Sequence, residues 1–218
     1  MEEQTLTTQT LTPVAVKKRN YRKKDDLKRF FYPREYLNCL NKINNDKHKF
    51  WIELLVHTGA RINEARGIQI RDIDLEKETI NLRQTKGRKV KKNRMIQISS
   101  YLKGRIEIYI KNNNLGAYDF LMQNPDENNK TPSTVGMDKI VKKFARDGGI
   151  KDWVDFSCHN LRKTLEQWGV ALNINVLTLQ AHMGHTIDVA STHYVGMNLM
   201  TSEDKSLAKA IIDNLWQK

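Results

Sequence analysis

The chain has 218 residues, 39% of them hydrophobic, with a net charge of +12 and a mean hydropathy of −0.64. That is enough for one full domain or two small ones around a packed core, and no apolar run approaches the roughly 18 residues of a membrane span. The opening MEEQTLTTQT lacks a secretory pattern, and two cysteines (Cys39, Cys158) with no CxxC argue against a disulfide framework or a zinc site and fit a reducing cytoplasm.

Residues 1 to 16 are polar and Thr-rich and read as disordered. Residues 17–29 carry Lys17, Lys18, Arg19, Arg22, Lys23, Lys24, Lys28 and Arg29 against Asp25 and Asp26, a basic arm. Residues 1–29 are therefore expected to precede one folded unit over 30–218. Pro33 in FYPREYLNCL suits the first turn of a helix, with Tyr36, Leu37 and Leu40 on one face. Phe50 to His57 reads as a second helix that buries Trp51, Leu54 and Leu55. Gly59 permits a tight turn into a third helix beginning near Arg61. From Gly67 the pattern turns to period two. Ile68, Ile70 and Ile73 suggest one strand, Ile80 and Leu82 a second, and Ile96 and Ile98 a third, with Gly87 at the last turn. A small three-stranded antiparallel sheet is expected inside a mixed α/β, mostly α-helical domain. Its final hairpin, residues 83–94, holds Arg83, Lys86, Arg88, Lys89, Lys91, Lys92 and Arg94 with no acid. Residues 101–112 look helical, QNPDENNKTPST is a polar loop, and helices are expected at 135–147, 160–171, 175–182 and 187–193. A last helix over 203–216 would align Leu207, Ile211 and Leu215.

The two basic segments together exceed the whole net charge, so the excess is localised. Localised positive charge is what tracking a phosphate backbone requires.

Five residues stand out: Arg61 in TGARINEA, His159 and Arg162 in CHNLRKT, His185 in AHMGH, and Tyr194 in STHYVG. Two guanidiniums can fork onto a phosphate, two imidazoles can handle protons and hydrogen bonds, and a phenol can be the nucleophile. Glu64 lies three residues after Arg61, within reach on one helix face, and His159 and Arg162 have the same spacing. His182 and His185 are also three apart, but without Cys or carboxylate partners at ligand spacing no metal is expected.

This ordered set resembles the catalytic domain of the tyrosine recombinases, the phage-integrase and Xer-like family, over roughly residues 30 to 200. The resemblance implies that Arg61 and Arg162 clamp the scissile phosphate, with Glu64 fixing Arg61. It places His159 near the attacking phenol and lets His185, from the family's LGH pattern (here Met183-Gly184-His185), hydrogen-bond the phosphate. Tyr194 would be the nucleophile. A hairpin lysine would protonate the leaving 5′ oxygen; the TKG turn favours Lys86, with Lys89 the alternative. His182 is given no role. Lys163 replaces the histidine often found after the second arginine.

The implied activity is site-specific recombination or integration of DNA, as in mobile elements, through a 3′-phosphotyrosine, with no cofactor and no metal. A type IB topoisomerase-like enzyme and a non-catalytic integrase-derived DNA-binding protein are the rivals. Double-stranded DNA is the expected partner, contacted by Lys17, Lys18, Arg19, Arg22, Lys23, Lys24, Arg88, Lys89, Lys91 and Lys92. A tetramer on DNA, accessory DNA-bending proteins, and a cytoplasmic, nucleoid-associated location away from membranes follow from the same resemblance. Most members carry a further helical domain of about 80–100 residues before this one, where the present chain has only the arm. The last helix could pack in cis or onto a neighbouring protomer.

Overall fold

A computed structural model describes residues 30–83, 93–124, 127–184 and 200–216. The basic arm, most of the basic hairpin with Gly87, and the predicted helix at 187–193 lie outside the described residues.

The elements follow from local chemistry. Helix α1 (Pro33–Asn41) starts on Pro33, whose missing N–H costs nothing in a first turn. Helix α2 (Asp46–Thr58) starts earlier than the apolar pattern suggests, because Asn45 caps it and accepts from the His48 N–H at 2.9 Å. It stops at Gly59, whose φ of +57° is the left-handed conformation a helix terminus favours. A short helix α3 (Ile62–Arg66) follows, with Arg61 at its N-cap.

The sheet has order β1-β2-β3, antiparallel throughout, from Ile73–Asp74, Thr79–Leu82 and Arg94–Gln97. Ile80, Leu82 and Ile96 share its buried face. The first strand is shorter than its isoleucines suggest. Residues Ile70–Asp72 form a 3-10 turn, closed by the Asp72 carboxylate accepting the Gln69 N–H at 3.0 Å. The backbone of 68–71 bonds instead to the 117–121 segment, with Ile70 N–H on the Asp119 carbonyl and Leu121 N–H on that of Ile68. Those isoleucines are apolar because they back a loop crossing, so period two overstated the ladder.

Helix α4 (Ser100–Asn112), α5 (Thr134–Asp147), α6 (Cys158–Ala171) and α7 (Val176–Met183) occupy the expected stretches. Helices α2 and α6 form the middle of the core; both are buried on nearly every face, around Trp51, Leu54, Leu165 and Trp168. Phe31 joins this core, its N–H on the Thr164 hydroxyl at 2.9 Å and its carbonyl accepting from the Trp168 indole at 3.0 Å. Burial of these aromatic groups is the main stabilising contribution.

The last helix, α8 (Ser202–Ile212), ends four residues before the predicted limit, and its buried row is Ala208 and Ile212, continued by Leu215 beyond the helix. Leu207 and Ile211 are only half-buried. The helix thus faces the core one position on from the predicted stripe, with the small Ala208 at its most buried point. It lies against α1 and α6 of its own chain, and Arg34 and Glu203 pair across the α1 contact. No helix among the described residues is long and apolar enough to cross a membrane.

Candidate active site

Two helix ends meet at the centre of the site. Helix α2 ends at Gly59 and α7 ends at Gly184, both with left-handed φ, +57° and +65°. A helix C-terminus leaves carbonyls without intrahelical partners and carries partial negative charge. Here cationic and imidazole side chains take up those carbonyls. Arg162 donates Nη1 to the Gly59 carbonyl at 2.5 Å and Nη2 to that of Met183. Arg61 donates Nη2 to the Gly184 carbonyl at 3.2 Å. Arg94 donates Nε to the His182 carbonyl at 3.2 Å. The His182 ring places Nε2 3.1 Å from the Thr58 carbonyl, which requires that nitrogen to carry the proton.

Glu64 anchors the cluster. It is 2% exposed. Its Oε2 accepts the Arg61 backbone N–H at 2.8 Å, and its Oε1 accepts from Arg61 Nη1 at 3.0 Å. Arg94 forks onto both oxygens, Nη1 to Oε1 at 2.6 Å and Nη2 to Oε2 at 3.0 Å. Burial would raise the Glu64 pKa, but the hydrogen bonds and charge of Arg94, then those of Arg61, outweigh it and hold the carboxyl below its ordinary value.

The three guanidiniums differ in exposure. The Arg61 side chain is 46% exposed and that of Arg94 17%, while Arg162 is buried. Burial, then the charges of Arg61 and Arg94, bring the Arg162 pKa down to about 9, with Glu64 and Glu166 opposing the shift. Three guanidiniums thus share this corner with two carboxylates, Glu64 and Glu166. Burial, followed by the Arg94 charge, also depresses His182 to about 4, so the ring is neutral.

The structure brings Arg61, Glu64 and Arg162 together. His159 stands exposed in the first turn of α6, one turn before Arg162. The N–H of its neighbour Cys158 is held by the Asp138 carboxylate at 2.8 Å. Lys86, His185 and Tyr194 lie outside the described residues, as do Lys17, Lys18, Arg19, Arg22, Lys23, Lys24, Arg88, Lys89, Lys91 and Lys92.

Two participants were not anticipated. His182 is a buried strut between α7 and α2, with Trp216 edge-on at 5.6 Å between ring centroids. Arg94 is the other, and the sequence held a signal for it. It shares strand parity with Ile96 and pairs with Leu82, so it points to the sheet's buried face, where an unpaired charge would be very costly.

Among the described residues no group of three His, Cys, Asp or Glu side chains could hold a metal ion. A cleft of about 460 Å³ against the sheet, lined by Arg71, Asp74, Lys77, Asn81 and Met95 among others, includes none of the arginine-cluster residues.

Comparison with known proteins gives this corner its context. The model of the phage integrase family matches residues 29–198. Over 153 residues the chain is 32% identical to the tyrosine recombinase XerA of Saccharolobus solfataricus, a match covering 70% of this chain and 46% of that relative. Over 174 residues it is 26% identical to the tyrosine recombinase XerC of Staphylococcus epidermidis, covering 75% and 55%. The chain thus spans about half the length of the curated relatives it matches. A crystal structure of XerA recombinase is similar with a TM-score of 0.65 at 17% identity, over 83% of this chain and 62% of that one. The Tn1549 transposon integrase in complex with transposon right end DNA is similar at 0.64 and 21%, over 83% and 64%. The chain belongs to the phage integrase family, and it carries the mostly helical fold, with a small three-stranded antiparallel sheet, of a tyrosine recombinase catalytic domain.

Proposed function

We propose that this chain is a site-specific DNA recombinase that cuts and rejoins strands through a 3′-phosphotyrosine at Tyr194, with residues 30–218 as the catalytic unit and 1–29 as a DNA-tracking arm. The observation that carries the reading is the convergence of Arg61 and Arg162 on the Gly59, Met183 and Gly184 carbonyls. It collects excess positive charge immediately before His185, where a phosphodiester would supply the missing anion. The structure neighbours include integrases and recombinases solved with DNA, which supports DNA as the substrate.

In this reading the Tyr194 oxygen attacks the scissile phosphorus and the bond to the 5′ oxygen breaks. Lys86 gives a proton to that leaving oxygen, and His159 accepts the proton that the attacking phenol gives up. His185 hydrogen-bonds a phosphate oxygen. Arg61 and Arg162 meet the charge that builds on the pentavalent phosphorus, an effect worth about 3–4 kcal/mol per donor in comparable oxyanion sites. The phosphate bond is conserved in the protein link, so a 5′ hydroxyl can reverse the step on the same or another strand. Neither a metal nor ATP enters. A tetramer on DNA, with accessory bending proteins, would complete strand exchange.

The test is covalent trapping in EDTA and low salt on nicked duplexes from the source replicon, with Tyr194→Phe alongside. An SDS-resistant protein–DNA band present in the native protein and lost in the variant is expected. A band in both would assign a different nucleophile. DNA binding with no band in either would replace catalysis by a binding role.

A further inference from the structure

We propose that Arg94 is a positioning residue of the cleavage reaction, which fixes the Glu64 carboxylate and the end of α7 so that Arg61 meets the scissile phosphate in a single arrangement. The inference rests on the recombinase reading above and deepens it.

The donors of Arg94 identify its role. Its Nε, Nη1 and Nη2 each bond a protein oxygen: the His182 carbonyl and the two oxygens of Glu64. A guanidinium turned inward on three sides is built to hold its neighbours. Arg61 is the opposite case, with its side chain 46% exposed. Arg61 is nevertheless tied at three points, and two of them are oxygens of Glu64. Without Arg94, Glu64 would be a buried carboxylate held by one partly exposed arginine, and it would gain both a reason to protonate and room to rotate. Arg61 would then lose its anchor.

Arg94 also fixes distances. It enters from β3, the strand that leaves the basic hairpin, and packs against the end of α7. A Cβ on Gly184 would lie 3.1 Å from its Cδ and Nε and 3.2 Å from its Cζ. One side chain therefore sets the separation of the sheet, α3 and α7.

The experiment compares Arg94→Gln, Arg94→Lys, Glu64→Gln and each double variant. The rate of covalent linkage at saturating nicked DNA and the DNA affinity are read separately. Lysine keeps the charge and loses the two-pronged fork, so it separates positioning from simple charge. We expect both Arg94 variants to link about 100-fold more slowly, the scale of a small misplacement of a reacting group, with DNA affinity within about twofold of native. Adding Glu64→Gln should slow them no further. Cleavage by Arg94→Gln should recover as pH rises, because the released carboxylate must then be deprotonated. If Arg94→Gln does not fold, Arg94→Lys carries the test. A readout without DNA runs in parallel: inorganic phosphate titrated against the arginine side-chain NMR signals, with about tenfold weaker binding expected in Arg94→Lys.

Native linkage rates in Arg94→Lys, or double variants whose losses multiply, overturn the proposal. So does a defect confined to DNA affinity. A native protein that never links to DNA, while Arg94→Lys still loses phosphate, sinks the recombinase reading and keeps the positioning role.

Discussion

Two of the buried glutamates among the described residues, Glu53 and Glu64, bond arginines directly, and their surroundings differ in one respect. Glu53 on α2 accepts from the Tyr101 hydroxyl at 2.7 Å and from Arg105 Nε at 2.8 Å. One negative charge meets one positive charge and a phenol, and the group is complete. Glu64 meets two arginines, with a third, Arg162, close enough to be perturbed by both of them. Each corner also has a buried neutral histidine, His57 stacked 5.2 Å from Tyr101 in the first and His182 in the second. The first corner closes on itself and only stabilises. The second sets three guanidiniums against Glu64 and Glu166, a balance that an anionic ligand would complete in the recombinase reading. In the recombinase reading, what separates the two corners is their charge balance and not the buried ion pair itself.

The largest effect is expected from Arg162→Ala. It removes a buried cation and leaves the Gly59 and Met183 carbonyls without their partner. Covalent trapping should fall by about 1000-fold, and the unfolding free energy in urea should drop by about 2–4 kcal/mol. Next comes Glu53→Ala, which strands Arg105 and should cost about 3 kcal/mol while trapping per folded molecule stays native. Equal loss of trapping in the two variants would erase the distinction between the corners.

A smaller, pH-dependent effect should appear in both. Burial lowers His57 and His182 to about 4 from an ordinary 6.5. The unfolded chain takes these protons first, so stability is full above pH 6.5 and is lost as the pH falls toward 4. Each histidine contributes about 1.4 kcal/mol per pH unit in that window. His57 Nδ1 meets no partner among the described residues, so His57→Phe should flatten the midpoint-versus-pH curve of thermal unfolding at little cost near neutrality. An unchanged curve would show that His57 is not held neutral.

Much of this was legible in the sequence. Pro33, Gly59 and the apolar spacing of α2 and α6 locate the helices because each acts locally. Arg61 and Glu64 could be paired because three residues of helix join them. Arg94 could not be assigned to Glu64, since thirty residues and a hairpin intervene and only the tertiary fold closes the gap. Its inward strand parity was readable, but it sits among seven cations of the hairpin whose shared charge points first to phosphate tracking. The short β1 was misread for a related reason: isoleucines report burial and do not name the backbone that covers them. In α8 the large residues were followed, whereas the helix is most deeply buried at Ala208.

Gly184 ends α7 against the Arg94 side chain, where an added Cβ would sit 3.1–3.2 Å from Cδ, Nε and Cζ. The contact acts as a thickness gauge. A single methyl group, as in Gly184→Ala, would meet both a left-handed backbone and the Arg94 side chain, and is expected to push that arginine from its carboxylate. An uncharged substitution could thus produce an electrostatic defect. Tolerance at this position is set by a few tenths of an ångström of give in the Arg94 side chain, added to the strain of a left-handed backbone.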